Sequence, residues 1–282
     1  MATGVTPPPS RIGLIAGAGQ FPIQLSREAA RQGTSVVAFG IQGWVDPGLA
    51  SAVAVYEEVT IGQFQFLIER LKAHGISQAV MAGKVTKEVL FDSQARLDNE
   101  MYQLLAQAQD ASVASLLGLV AKRLAREGIA LLDSSTFLQS SLCPVGVLTR
   151  RPPTDAEQAD IQVGVPVARA LAAFDVGQTV VVKKKVVVAL EALEGTDATI
   201  QRAGSVAGRN FVVIKMASPN QDRRFDLPIV GKDTLELLSR TGGTCLAVEA
   251  GTTLLLERDL LVPIADRFGL CLVGLPCEVS TR

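Results

Sequence analysis

The chain has 282 residues, 48% of them hydrophobic and 20% charged, with a formal net charge of −1. That length exceeds a typical single domain, so two domains are expected, and the near-neutral balance offers no overall basic field to nucleic acid. Cys143, Cys245, Cys271 and Cys277 lack metal-ligand spacing, no apolar run approaches the roughly 20 residues of a membrane span, and the proline-rich start carries no secretory pattern, so a cytoplasmic protein is expected.

Arg11–Ala16 reads as a buried strand, followed by Gly17-Ala18-Gly19-Gln20 and a helix from about Pro22 to Arg31. Pro22 suits the first helical turn, where its missing N–H costs nothing. Glycines between a strand and a helix N-terminus let backbone N–H groups approach a phosphate, with a purely structural tight turn as the alternative. This is the opening of a Rossmann-like sheet. The third glycine of the dinucleotide fingerprint is replaced by Pro22, however, and the next strand, Ser35–Phe39, ends in Gly40-Ile41-Gln42 with no acidic ribose ligand, which disfavours NAD.

Ala52–Val55 is the next expected strand, and Phe64, Leu67, Ile68 and Leu71 give a helix over 62–73 one apolar face. His74, the sole histidine, closes that helix beside Gly75; capping is the first reading and catalysis the second. A strand over Gln78–Ala82 runs into Gly83-Lys84-Val85. Lys84 thus stands where open α/β sheets bind ligands, with an ordinary surface lysine as the alternative. Helices are expected over 97–109 and 112–127, the second striped by Val113, Leu116, Leu117, Val120 and Leu124. Ile129–Leu132 is a strand, and Asp133-Ser134-Ser135 is expected to cap a short helix. After a strand over Val145–Arg150, the run Arg151-Pro152-Pro153-Thr154 ends regular structure. It sets the expected domains: 1–150, a Rossmann-like parallel sheet, and 151–282, a mixed α/β domain.

The second half opens with a helix over 155–174, acidic at its start. Thr179–Val182 and Val186–Leu190 form a hairpin across Lys183-Lys184-Lys185, and Glu191 leads through Glu194-Gly195-Thr196-Asp197 into a helix ending near Ala203. Phe211–Met216 is a strand containing Lys215. A helix over Lys232–Ser239, strands over Thr244–Val248 and Thr252–Leu256, a helix over Asp259–Phe268 and a strand over Leu270–Val273 complete the chain.

The stretch Gln221-Asp222-Arg223-Arg224-Phe225-Asp226-Leu227-Pro228 concentrates chemistry just after the Phe211–Met216 strand. Asp222 and Asp226 offer hard oxygen ligands to a divalent cation, and Arg223 and Arg224 offer bidentate contacts to phosphate. The competing reading is a solvated loop whose charges pair with one another.

Taken together and in this order, Gly13-Leu14-Ile15-Ala16-Gly17-Ala18-Gly19, Met81-Ala82-Gly83-Lys84-Val85, Gly146-Val147-Leu148-Thr149, Asp175-Val176-Gly177-Gln178, Glu191 with Glu194-Gly195-Thr196-Asp197, Gln221-Asp222-Arg223-Arg224 with Asp226-Leu227-Pro228, and Ala247-Val248-Glu249-Ala250-Gly251 resemble one family. It is the alternative, non-metallophosphoesterase UDP-2,3-diacylglucosamine pyrophosphatases of lipid A biosynthesis, and the resemblance spans nearly the whole chain. Similar sequences often have a glycine where this one has Lys183–Lys185. The resemblance implies a Mg²⁺-dependent, two-domain enzyme that cleaves the pyrophosphate to UMP and 2,3-diacylglucosamine 1-phosphate in a cleft between its domains. The implied catalytic residues are Asp226, Asp222, Arg223, Arg224 and Lys215. For the cation, Asp226 is the first expected ligand and Asp222 and Asp197, or Glu191, are candidate second ligands, the alternatives being that Asp222 only pairs Arg223 and that Asp197 is an N-cap. Substrate contacts are implied at Gly17, Ala18, Gly19, Gln20, Lys84, Thr149, Glu191, Gly195 and Thr196. Peripheral contact with the cytoplasmic face of the inner membrane and a symmetric homodimer are further expectations. The acyl chains need an apolar groove, for which the helices over 112–127 and 155–174 are candidates, with burial in the core as the alternative for each.

Overall fold

The computed structural model describes residues 9–85, 97–107, 113–219 and 221–277. The chain forms two compact units: Met1–Leu138 together with Asp222–Asp226, and Gln139–Gln221 together with Leu227–Arg282. The expected boundary at Arg151–Thr154 therefore lies inside the second unit. Ahead of it, Gly146 and Val147 already pair with a strand near the chain's end.

Unit 1 is built from β1 (Arg11–Ala16), α1 (Phe21–Arg31), β2 (Ser35–Ile41), β3 (Val55–Val59), α2 (Phe64–Ala73), β4 (Gln78–Ala82), α3 (Asn99–Gln107), α4 (Val113–Arg126) and β5 (Ala130–Leu131). Its sheet runs β3-β2-β1-β4-β5 with every pairing parallel. Parallel strands buried on both faces explain the unbroken apolar runs of β1 and β2. Their side chains meet Leu71, Leu124 and Ile129 in one core. Leu116, Val120 and Leu124 of the striped α4 are buried in this unit, so that part of the stripe is core.

Two expectations shift. A 3₁₀ turn at Pro47–Ala52, capped by Asp46, occupies the place expected to begin the third strand, and β3 starts at Val55. β3 lies at the sheet edge with its Glu57 and Glu58 partly in water, so its sequence lacks an apolar run. Secondly, Asp133–Ser135 forms no helix. Asp133 Oδ1 accepts from the Ser135 N–H at 2.7 Å, closing an Asx turn.

Unit 2 contains β6 (Gly146–Val147), α5 (Asp155–Ala173), β7 (Thr179–Lys183), β8 (Val186–Leu190), α6 (Gly195–Ala207), β9 (Phe211–Lys215), β10 (Ile229–Val230), α7 (Lys232–Thr241), β11 (Gly243–Glu249), β12 (Leu254–Leu255), α8 (Arg258–Arg267) and β13 (Cys271–Leu275). Six strands form one sheet, β6-β13-β11-β9-β7-β8, mixed because β6 and β7 run antiparallel to their neighbours. The short β10 pairs in parallel with β12. Alternation along β9 divides the core: Val212 and Ile214 join Ile161 and Ala168 of α5, whereas Phe211 and Val213 join Ile200, Leu235 and Leu261 of the other helices. Gly164 allows α5 this approach, since a Cβ there would lie 2.5 Å from Ile214. No described helix is long and apolar enough to cross a membrane.

Candidate functional site

In unit 1 the strand order reverses between β1 and β4, and an open sheet binds ligands beyond the carboxyl ends of the strands at such a point. The loops leaving these strands are laced together: Gly17 N–H donates to Ala82 O at 2.8 Å, and Ala18 and Lys84 exchange two backbone hydrogen bonds of 2.9 Å. Gly83 is required here, because a Cβ on it would come within 2.6 Å of the Gly17 carbonyl carbon. The N–H groups of Gly17 and Ala18 are thus used within the protein. Lys84 is exposed on this edge, and the Gln20 amide donates to Asp46 at 2.7 Å.

The Asx turn after β5 supports the charged segment. Ser134, 2% exposed, donates its N–H to Arg223 O at 2.9 Å, and its hydroxyl lies 2.8 Å from both Met81 O and Arg224 O. Arg223 Nε forms an ion pair with Asp133 Oδ2 at 2.9 Å, outside hydrogen-bond alignment, and its Nη2 donates to Ser135 Oγ at 2.9 Å. Arg224 grips both oxygens of Asp222, with Nε at 2.8 and 3.1 Å and Nη2 at 2.5 Å. The bonds from Arg224 hold the Asp222 carboxyl below its ordinary range and outweigh the effect of its partial burial. Both guanidiniums therefore brace the segment. Asp226, whose N–H donates to Asp222 O at 3.0 Å, is exposed at its end.

A second group lies at one edge of the unit 2 sheet. Lys215 Nζ, at the end of β9, donates to Thr196 Oγ1 at 2.9 Å; that hydroxyl donates to Glu191 Oε1 at 3.0 Å, and Gln178 N–H approaches Glu191 Oε2 at 3.3 Å. Gly195 takes φ +82° at the start of α6, and Asp197 is exposed in its first turn. Lys215, Glu191, Gly195 and Thr196 thus come together as one cluster. Thr149 does not join it: buried, it donates to Arg151 O and accepts from Leu272 N–H, both at 3.0 Å, and so braces the sheet.

Sequence reasoning named Ser134 only within an expected helix cap and Glu249 only within the Ala247–Gly251 motif, and assigned neither a role in the site. Glu249, 7% exposed, accepts from Ala217 N–H at 3.3 Å and Thr252 Oγ1 at 3.2 Å, tying down the chain beyond Lys215. Its place at the end of an apolar strand is the signal that marked it. The Gln221 Nε2 donor is buried and has no partner among the described residues. A concavity of about 560 Å³ elsewhere in unit 2 is lined by Arg151, Glu157, Asp160, Lys183 and Lys184. Its carboxylates are engaged by Arg151 and by backbone N–H groups, and it holds none of the expected site residues.

Three or more His, Cys, Asp or Glu side chains able to hold a metal do not gather anywhere among the described residues. Asp222 is occupied by Arg224, and Asp197 belongs to the other unit. A closed metal site is therefore absent from them, whereas an exposed carboxylate such as Asp226 suits the open mode in which Mg²⁺ is shared with substrate phosphates.

These features define an α/β protein with a braced acidic segment on the ligand edge of a parallel sheet. The LpxI N-terminal domain matches residues 11–141 and the LpxI C-terminal domain matches residues 144–273. The chain is 30% identical over 274 residues to the UDP-2,3-diacylglucosamine pyrophosphatase LpxI of Caulobacter vibrioides, covering 94% of this chain and 97% of that protein. It belongs to the LpxI family. Similar solved structures include a precorrin-6A reductase, 13% identical over 96% of this chain and 90% of that one with a TM-score of 0.27. Another is N5-carboxyaminoimidazole synthetase from Staphylococcus aureus, 13% identical over 61% and 38% with a TM-score of 0.24.

Proposed function

We propose that this chain hydrolyses the pyrophosphate of UDP-2,3-diacylglucosamine to UMP and 2,3-diacylglucosamine 1-phosphate in lipid A biosynthesis, at the cytoplasmic face of the inner membrane. The observation that supports this most directly is the Asp222–Asp226 segment, fixed by Ser134 and Asp133 on the ligand edge of unit 1 in a chain of the LpxI family.

Water attack on one phosphorus forms a P–O bond as the bridging P–O bond breaks, so the catalyst must orient the water, remove a proton and offset anionic charge. Asp226 is assigned the first two tasks. Its neighbours Arg223 and Arg224 hold the segment through Asp133 and Asp222. Within unit 1, Lys84 is assigned to the phosphate oxygens; within unit 2, Lys215, directed by Glu191 and Thr196, is assigned to an anionic group of the substrate. Mg²⁺ is the proposed cofactor: Asp226 and Asp222 would hold it, and it would supply neutralisation of phosphate charge. The test is chromatography of products from the purified chain and the diacylated nucleotide, with Mg²⁺ or with chelator. Equimolar UMP and sugar 1-phosphate, lost on chelation, are expected. Tight binding without release of UMP would replace hydrolysis by a binding function, and release unaffected by chelator would remove the metal.

A further inference from the structure

We infer that the β8 edge of unit 2 docks on an anionic lipid surface, with Phe174, Val176, Leu190 and Leu193 entering the interface and Lys184 and Lys185 meeting lipid phosphates. β8 is the outermost strand of the six-stranded sheet. Phe174 and Leu193 are each 80% exposed. Single exposed apolar side chains are ordinary, but a group of them on one edge marks a contact surface. These four are gathered because Gly177 packs on Glu191, where a Cβ would lie 2.3 Å from the Glu191 carbonyl oxygen. The turn carrying Phe174 and Val176 therefore runs beside the segment carrying Leu190 and Leu193.

The other end of β8 carries the lysines. Lys184 and Lys185 occupy the turn of the β7–β8 hairpin at φ 50° and 63°, positions that favour Asn or Gly. The buried Asp160 carboxylate holds the turn by accepting from their N–H groups at 3.1 and 2.5 Å, and the Lys183 ammonium is anchored on Ala207 O at 2.5 Å. Two strained lysines are thereby presented to solvent, with Val186 and Val206, 62% and 72% exposed, at the same end of the hairpin and of α6. Asp175 and Glu194 lie at the apolar end, Glu194 paired with Arg202 at 2.6 Å, so the attraction to an anionic surface comes from the lysine tip. Nucleic acid would satisfy the lysines and leave the apolar side chains in water. A lipid surface satisfies both.

The inference rests on the proposed diacyl substrate, because Leu190 and Leu193 flank Glu191 of the Lys215 cluster and bring that cluster to the lipid. Vesicle flotation without substrate tests it, using phosphatidylcholine alone or mixed with phosphatidylglycerol. Wild type should float with the anionic vesicles only, and soluble glycerol phosphate should not compete. Replacing Lys184 and Lys185 by Gly relieves the turn, so thermal stability should hold or rise while partitioning falls roughly 25-fold, about fivefold per lysine. Phe174→Ser with Leu193→Ser should also release the protein from vesicles while leaving hydrolysis of detergent-dispersed substrate intact. Flotation unchanged in both variants, binding transferred to nucleic acid, or a dimer that these substitutions dissociate would each overturn the inference. Hydrolysis without vesicle binding would overturn the docking edge alone; vesicle binding without hydrolysis would support it and count against the activity.

Discussion

A single hydroxyl links the cation of the Lys215 cluster to its counter-charge. Thr196 Oγ1 accepts from Lys215 and donates to Glu191, so one hydroxyl fixes the position of the ammonium relative to the Glu191 carboxylate. Thr196→Val keeps the shape and removes both bonds. It should lower kcat roughly tenfold with a smaller change in KM, and Thr196→Ser should restore most of the loss. Equal loss in both variants, or a change confined to KM, would assign Thr196 to simple packing or substrate binding. This cluster was legible in the sequence because Glu191, Gly195, Thr196 and Lys215 lie at the ends of strands and the start of a helix with clear patterns. Thr149 stands apart from this cluster, and nothing in the sequence marks that, because a hydroxyl that braces a sheet and one that meets a ligand look alike in it.

At the scale of elements, α5 shows how one helix end anchors a sheet. Thr154 and Glu157 form a capping box, and Arg151 bonds Glu157 through two nitrogens at 2.6 and 3.0 Å while reaching Thr244 O at 2.6 Å. Burial pushes the Glu157 carboxyl up, but bonds from Arg151, Thr244 and Thr154 more than offset it and hold the pKa at about 2. A carboxyl depressed on folding contributes stability that is complete above its unfolded value, about 4.3, and is lost as pH falls towards 2. Denaturant unfolding should therefore lose on the order of 3 kcal/mol from this group across that window, and Glu157→Gln should flatten the dependence. An equally steep fall in the variant would assign the acid sensitivity elsewhere, with Glu57, held at about 2 chiefly by Arg70, as the next group to test. The sequence announced the start of this helix through its acidic residues but not the Thr154–Glu157 capping box, and it announced β1, β2 and the β7–β8 hairpin through their apolar runs. It hid β3, whose edge position lets glutamates into a strand, and the two-residue β10, which is too short for any periodicity.

The whole molecule turns on where the chain places residues 222–226. The segment follows a strand of unit 2 yet belongs to unit 1, held by Ser134 across 90 positions of sequence. No local pattern encodes such a pairing. The octet was legible as a concentration of charge, but its partners Asp133 and Ser134 resembled an ordinary helix cap. The arrangement divides the work of the segment: Arg223 and Arg224 spend their charge on Asp133 and Asp222, and Asp226 is presented at the exposed end. Asp226→Asn is nearly isosteric and removes the proton acceptor while keeping an amide in its place. The most direct measurement is substrate affinity and single-turnover UMP release for this variant beside wild type. Binding within about threefold of wild type with release slowed by at least about a thousandfold is the expected result. Release at the wild-type rate, with binding intact, would remove Asp226 from the chemistry and contradict the account.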